Sequence, residues 1–513
     1  MPKEIPRLLI LQIILILIIS ACNAPIERVR PTLAFTEEDL FQTVEAMPTF
    51  TPSAFDEQSQ PPSLSEDSSS IWPTLIPTSE AAEYLYQTMP GDTLAGLSGR
   101  FGVKPDDIRP RESVSLEGYL LPGQTLAIPR ILGKTSTAQR FLPDEALVYS
   151  ASAADFDISM FVNEAGGYLS EYRELVEQEA ELSGSQVIQR VANELSVNPR
   201  LLLAILDYRS GWVFDRPLGA EQDRYPIGFR ISHRQGLYEE IKITATQLNL
   251  AYYGWRDGSF NNLRFDDGLS VRLDPTLNAG SVALMHLFAI LSDSQTWEET
   301  LNSPYGFPVH YFNLFGDAWA RADANGFLIP HNLEQPALEL PFHPGEGWSL
   351  TAGPHNAWNA GTPLGALDFS PISVAEPCED SAAWVTASAS GLVVRARDNV
   401  VALDLDRDGE EGSGWVIVYF HIAKLDMIPE GLDLAIDQRI GHPSCEGGTA
   451  SGTHVHVARK FNGEWIPAEG PAPFEMSGWR AVAGERIYQG QLIKEDQVVK
   501  ADPAGRAGST IIR

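Results

Sequence analysis

The chain has 513 residues, too many for one hydrophobic core, so several domains are expected. With 37 basic against 68 acidic residues its formal charge is -31, which speaks against nucleic acid or an anionic membrane surface as a partner. Hydrophobic residues make up 43%, as in ordinary globular proteins, so the acidic excess reads as a solubility device. At the N-terminus Lys3 and Arg7 precede an apolar run from Leu8 to Ile19 and then Ser20-Ala21-Cys22, the charged, apolar and small-residue parts of a secretory signal. No later run is long and apolar enough to span a membrane. Residues 23–80 are rich in Pro, Ser, Thr and acid and bury too little apolar surface to offset their ordering entropy, so they read as a flexible stalk.

Ile19-Ser20-Ala21-Cys22 resembles a bacterial lipobox. The resemblance implies that residues 1–22 are a lipoprotein signal peptide and that Cys22 becomes the lipidated first residue. The mature chain would then be extracytoplasmic, in the cell envelope, and would meet the membrane through its lipid anchor only. Cys378 and Cys445 are the remaining cysteines. In an exported chain such a pair is expected as a disulfide rather than a metal pair.

Residues 81–132 read as strand, helix, helix, strand, with Asp92 or Thr93 as a helix cap and Pro122-Gly123 as a turn before the last strand. The start Gly91-Asp92-Thr93-Leu94 and the end Leu121-Pro122-Gly123-Gln124-Thr125-Leu126-Ala127-Ile128-Pro129 resemble a LysM module. That resemblance implies a small βααβ unit that binds N-acetylglucosamine-containing glycan, here peptidoglycan.

Residues 140–335 read as mostly helical, with apolar residues at helical spacing in Tyr172 to Leu182 and Val187 to Leu195. Asn198 is the expected cap and Pro199 the first residue of a further helix. That helix runs into Asp207-Tyr208-Arg209-Ser210-Gly211-Trp212, which resembles the lysozyme-like fold of lytic transglycosylases, where a Glu-Ser-Gly follows such a helix. Arg209 stands where that family has its catalytic Glu. A general acid for glycosidic cleavage is a carboxyl, which Arg lacks, so the implied role is glycan holding rather than cleavage. Trp212, Tyr252, Tyr253 and Trp255 are candidates for stacking on sugars or for the core.

From about residue 340 the pattern changes to short alternating segments, expected as an antiparallel-β domain over 340–490 with 491–513 as a tail. Six of the ten histidines lie there: His343, His355, His421, His442, His454 and His456. In Gly452-Thr453-His454-Val455-His456-Val457-Ala458 the two histidines point the same way if the segment is a strand. Gly353-Pro354-His355, Leu367-Asp368-Phe369, Ala389-Ser390-Gly391-Leu392-Val393, Val418-Tyr419-Phe420-His421-Ile422 and Ser451-Gly452-Thr453-His454-Val455-His456 follow one another as in lysostaphin-type, LytM-like zinc endopeptidases, which they resemble. Carried over, the resemblance implies zinc (Zn2+) on His355, Asp368 and His456, with His421 and His454 catalytic beside the open position. The chain departs from that family in the spacing of the first two ligands, 368 − 355 = 13, against a usual gap of three residues between them. His343 is therefore a substitute candidate for His355.

Asp404-Leu405-Asp406-Arg407-Asp408-Gly409 resembles the start of a calcium (Ca2+) loop, with hard oxygens at alternate positions and a turn-forming Gly. Trp415 at the twelfth position rules out an EF-hand, and an acidic hairpin tip is the equal alternative. The whole reads as a multi-domain α+β protein: LysM module, helical lysozyme-like middle and antiparallel-β zinc endopeptidase. The expected function is a lipid-anchored peptidoglycan hydrolase cutting stem peptides or cross-links. The alternative is a non-catalytic wall-binding or regulatory lipoprotein with a degenerate peptidase fold.

Overall fold

The apolar positions of Tyr86, Leu97, Phe101, Ile108, Leu126 and Ile128 close a small core of their own near the start of the described chain. The structure, a computed structural model, describes residues 83–513 apart from 114, 178, 179 and 375; the expected signal peptide, Cys22 and stalk lie outside the described residues. The strand Glu83–Gln87 pairs antiparallel with Thr125–Pro129, and the two-residue strand Arg109–Pro110 pairs with the other edge of the latter. Thr93 caps the helix Leu94–Phe101 by accepting from the Gly96 amide, and Gly102 ends it in the left-handed region at φ 67°. The second helix expected here is one 3₁₀ turn, Pro105–Asp107. Pro110, three residues past the turn's end, has no amide hydrogen to continue a helix, and the segment joins the sheet edge instead.

The middle of the chain is helical. Asn198 caps Pro199–Ser210 through the Arg200 amide, with Pro199 in the first turn as expected. Residues Tyr172 to Leu182 are a correction: Arg173–Val176 and Ala180–Ser183 form an antiparallel hairpin, not a helix. Val176 is buried while the adjacent Leu175 is exposed, a period of two, and the Glu174 carboxylate fixes the hairpin by accepting from the Tyr238 amide at 2.9 Å. The long helix Leu237–Asp257 and the helix Ala279–Ile290 are buried almost all round and form the centre of the main core. Trp212, Tyr252, Tyr253 and Trp255 are buried in that core, so none offers a face to a sugar. No helix among the described residues is long and apolar enough to cross a membrane.

One buried imidazole in this core gives a pH prediction. His286 Nε2 lies 2.9 Å from Gln247 Oε1, its Nδ1 has no partner, and burial pushes its pKa down to about 4. The folded state holds it neutral while the unfolded chain takes up a proton below pH ~6.5, so its contribution is complete above that pH and is lost as pH falls towards 4. The loss is about 3 kcal/mol. Denaturant unfolding at pH 7 and pH 4 should therefore show a smaller acid destabilisation for His286→Gln than for the wild type. Equal destabilisation of the two would contradict this assignment.

The C-terminal part is a nine-stranded sheet. Its order runs Asp433–Leu434, Gly391–Arg397, Val400–Asp404, Trp415–Phe420, Val455–Phe461, Leu364–Pro371, Gly347–Asn356, Thr510–Ile512, with Glu464–Trp465 paired to the central strand Val455–Phe461. Side chains alternate between two cores. Ile417, Tyr419, Val455 and Val457 face one core built within the strand-rich part, while Val416, Val418 and Ala458 face the core they share with the helices. Residues 491–513, expected as a tail, are structured: Gly490–Lys494 and Gln497–Lys500 belong to a four-stranded sheet, and Thr510–Ile512 pairs with the edge of the main sheet. Leu492, Val499 and Ile511 are buried there, which accounts for the order.

Three parts of the chain meet at Arg256. Its guanidinium donates to Pro90 O, to Tyr252 Oη at 2.9 Å and to Glu464 Oε1 at 2.8 Å, and Asp144 Oδ2 lies 3.1 Å away. Beside it the helix Leu94–Phe101 sits directly on the end of the long helix. A Cβ on Gly96 would lie 2.3 Å from Arg256 O, and one on Gly99 2.4 Å from Gly258 O, so only glycine permits this approach.

Candidate metal centre

His456 lies on the central strand Val455–Phe461, directly opposite Asp368 on one neighbour and Phe420 on the other. Two residues along each strand, Ala458 and Ala366 face the core shared with the helices, so His456 and Asp368 lie further along that same face. His355 pairs with Ala366 on the next strand. The long gap between His355 and Asp368 is closed locally, because Asn356 Nδ2 donates to Thr362 O at 2.8 Å, Trp358 N to Thr362 Oγ1 at 3.0 Å and Ala357 N to Pro363 O at 2.9 Å. The loop thus folds back as a hairpin and returns Asp368 beside His355. His343 lies in the turn before Gly347–Asn356 and takes no part in the cluster.

Each histidine is tied by one nitrogen to a main-chain carbonyl. His355 Nδ1 is 2.9 Å from Gly353 O, His456 Nε2 2.9 Å from Ala357 O, His421 Nδ1 2.8 Å from Glu446 O and His454 Nδ1 2.7 Å from Gly452 O. A carbonyl only accepts, so the tied nitrogen carries the proton and the other is bare, the tautomer that metal ligation needs. His355 Nε2 and His456 Nδ1 are 3.0 Å apart, and Asp368 Oδ1 lies 3.2 Å from the first and 3.3 Å from the second. Asp368 Oδ1 is buried without a hydrogen-bond donor. Three electron-rich atoms in a buried triangle need a cation. Tetrahedral zinc with bonds of ~2.0–2.1 Å separates its ligand atoms by about 3.3 Å, which is the size of this triangle. The residues present therefore fit zinc.

The electrostatics follow from burial and this crowding. Burial alone would raise Asp368, yet the imidazoles of His355 and His454 hold it well below the usual carboxylate range. Burial opposes charge on His355, but Asp368 carries its pKa above the ordinary value, whereas burial keeps His456 below it. The His421 and His454 rings lie 4.5 Å apart, tilted by 51°, beside the triangle, and His454 Nε2 is 3.6 Å from Asp368 Oδ2. Burial and the neighbouring His454 push His421 down to about 3, so it is neutral at physiological pH.

Tyr488 was not singled out in the sequence. Its ring stacks on His355 at 4.8 Å and closes the outer side of the site. No local motif marks it, because it comes from the segment between the strands Trp479–Ala483 and Gly490–Lys494. Asp404, Asp406 and Asp408 come together at the hairpin tip between Val400–Asp404 and Trp415–Phe420 and bring three carboxylate oxygens within 4.8 Å of one another. Burial, with Asp406 beside it, pushes Asp404 up to about 6. Arg209 donates to Ile227 O at 2.8 Å, and Glu240, whose charge acts on it, is fully buried, so neither offers a general acid to a glycan.

Cys378 and Cys445 form a disulfide. It closes 67 positions and anchors the segment whose Glu446 carbonyl orients His421. On the chain-entropy model it contributes about 4 kcal/mol. Mass spectrometry of the oxidised folded protein should find no free thiol at either residue, and reduction should lower the unfolding midpoint. Two free thiols in the folded, oxidised protein would refute the bridge.

A family model described as "LasA, N-terminal domain" matches residues 140–330. The chain is 23% identical to Protease LasA of Pseudomonas aeruginosa over 361 residues, covering 66% of this chain and 78% of that one. Over 158 residues it is 25% identical to beta-lytic metalloendopeptidase of Lysobacter enzymogenes, covering 29% of this chain and 82% of that one. A solved structure of an M23 metalloprotease, pseudoalterin from deep-sea, aligns with a TM-score of 0.29 at 22% identity, covering 35% of this chain and 99% of that one. The names of the curated relatives and the donor set of His355, Asp368 and His456 meet on one enzyme class: the chain is a zinc metalloendopeptidase.

Proposed function

We propose that this enzyme is a peptidoglycan hydrolase of the cell envelope that cuts peptide bonds in stem peptides or cross-links. The observation that carries the reading is the buried triangle of bare ligand atoms with two further histidines beside it. His355, Asp368 and His456 would hold zinc, which when bound supplies Lewis acidity and makes hydrolytic chemistry accessible near neutral pH. His421 Nε2, left bare by the tie of Nδ1 to Glu446 O and lying beside the triangle, takes the proton of the attacking water and returns it to the leaving amine. His454 Nε2 faces the same space and stabilises charge that develops on the substrate carbonyl. Tyr488 keeps His355 in its orientation and narrows the site on one side. Purified sacculi treated with the enzyme should release new amino termini without new reducing ends; reducing ends alone would overturn the reading. A chain that binds no zinc tightly would be the non-catalytic wall-binding lipoprotein instead.

The LysM-like segment would hold the enzyme on glycan, and lipidation at Cys22 would hold it at the membrane, so that linked sites raise one another's effective concentration. Because Gly96 and Gly99 sit against the long helix, deleting the segment would uncover that helix, and competition is the cleaner test. Soluble N-acetylglucosamine oligomers should reduce sacculus pull-down at both low and high salt, since an acidic chain gains nothing from attraction to an anionic polymer. Pull-down unchanged by the oligomers would remove the targeting role. A calcium ion at Asp404, Asp406 and Asp408 completes the proposal, supported by three hard oxygens held close together at the hairpin tip.

A further inference from the structure

The hairpin tip Asp398-Asn399 has φ of 53° and 60°, the positive pair that a tight two-residue turn needs, and Asn, Asp or Gly would each satisfy it. The side chain of Asn399 does something that a turn does not ask for. It is 1% exposed, and its Nδ2 donates both to Ile422 O at 2.9 Å and to Glu446 Oε2 at 2.8 Å. Asn399 O also accepts from the Ile422 amide at 3.0 Å. Glu446 Oε2 accepts in addition from the Lys424 amide at 3.0 Å. The hairpin tip, the segment 422–424 and the segment 444–447 are thus fastened at one carboxylate. A Cβ on Gly447 would lie 2.5 Å from Asn399 Cβ and 2.9 Å from the Phe420 ring, so the segment fits here only as glycine.

His421 is the residue enclosed by this clamp. It sits at φ 62°, a conformation that a non-glycine residue keeps only when its surroundings over-determine it. That backbone turns its ring to the same side as Phe420, against which it stacks at 4.1 Å. Its main-chain carbonyl accepts from the Ser444 amide and hydroxyl at 2.8 and 2.9 Å, and its Nδ1 donates to Glu446 O at 2.8 Å. We propose that Asn399 and Glu446 are positioning residues that hold the His421 ring in the single tautomer whose bare Nε2 faces the reacting water. The proposal rests on the peptidase chemistry above for its effect on rate, but the tautomer itself is a separate observable.

The test uses the zinc-loaded full chain. Asn399→Gly keeps the turn and removes both side-chain bonds; Glu446→Gln keeps an acceptor oxygen and serves as the conservative variant. Asn399→Gly should lower kcat at least about tenfold, with KM within about twofold and zinc per chain unchanged, while Glu446→Gln keeps most of the rate. Ring-nitrogen NMR of His421 should show one Nδ1-protonated tautomer in the wild type and a mixture in Asn399→Gly. A glycine variant with wild-type kcat, or with the wild-type ring signature, would overturn the assignment. If Asn399→Gly does not fold, Glu446→Ala truncates an exposed side chain and decides the same two readouts. Should the wild type cleave no wall peptide, the proposed function fails, and the ring signature alone still decides the positioning role.

Discussion

His456→Ala should lose zinc and peptidase activity together. The imidazole supplies one corner of the triangle, and His355 Nε2 and Asp368 Oδ1, 3.2 Å apart, then remain as a two-ligand site. A water in the vacated position would also lack the Ala357 carbonyl that orients the missing ring. His454→Ala and His421→Ala should behave differently, because neither belongs to the triangle. Each should keep close to one zinc per chain and lose activity by about 10²–10⁴, the usual scale for removal of a general acid or base. Metal analysis of the three variants, paired with cleavage of a soluble wall peptide, separates the two classes. A His456→Ala protein with full zinc, or a His454→Ala protein with none, would break the division of roles. A chelator should abolish wild-type activity and zinc should restore it.

How much of this was legible in the sequence depends on the range of the interaction. The His-x-His strand was legible because alternation is local: His454 and His456 share a face whatever the rest of the chain does. The order of the five motif elements gave Asp368 and His421, and Pro199 after Asn198 gave a helix start. The hairpin at residues 173–183 was missed because Tyr172, Leu175 and Leu182 also fit a helical repeat, and its strand pairing is fixed by Glu174 reaching the Tyr238 amide, 64 positions away. The final strand Thr510–Ile512 was missed for the same reason, since its partner Gly347–Ser349 lies far up the chain. Asn399 belongs to no motif of the sequence; only the folded structure shows its amide turned inward to Glu446. Arg256 carried no signal, although it joins groups 166 and 208 positions apart in sequence.

Arg256 is where the largest loss of stability is expected. Glu464 is 2% exposed, and burial raises its pKa in spite of the guanidinium beside it, so the carboxylate depends on its donors. Tyr252 Oη donates to it at 2.6 Å and Arg256 at 2.8 Å. Arg256→Met removes the cation and leaves Glu464, with Asp144 nearby, as buried acid lacking a counter-charge; breaking such a pair from one side costs about 3–5 kcal/mol. The same change removes the donor to Pro90 O, a polar tie between the segment 83–132 and the long helix beside the Gly96–Gly99 contact. The variant should unfold at lower denaturant, and limited proteolysis should cut the connection at residues 130–140 earlier than in the wild type. Adding Glu464→Gln should recover part of the loss, because a neutral amide needs no counter-charge and can still accept from Tyr252. A double variant as unstable as the sum of the two single changes would mean that Arg256 and Glu464 act independently. The loss on replacing Arg256 would then come from the contact of its guanidinium with the Tyr252 ring and with Gly91 rather than from the buried ion pair.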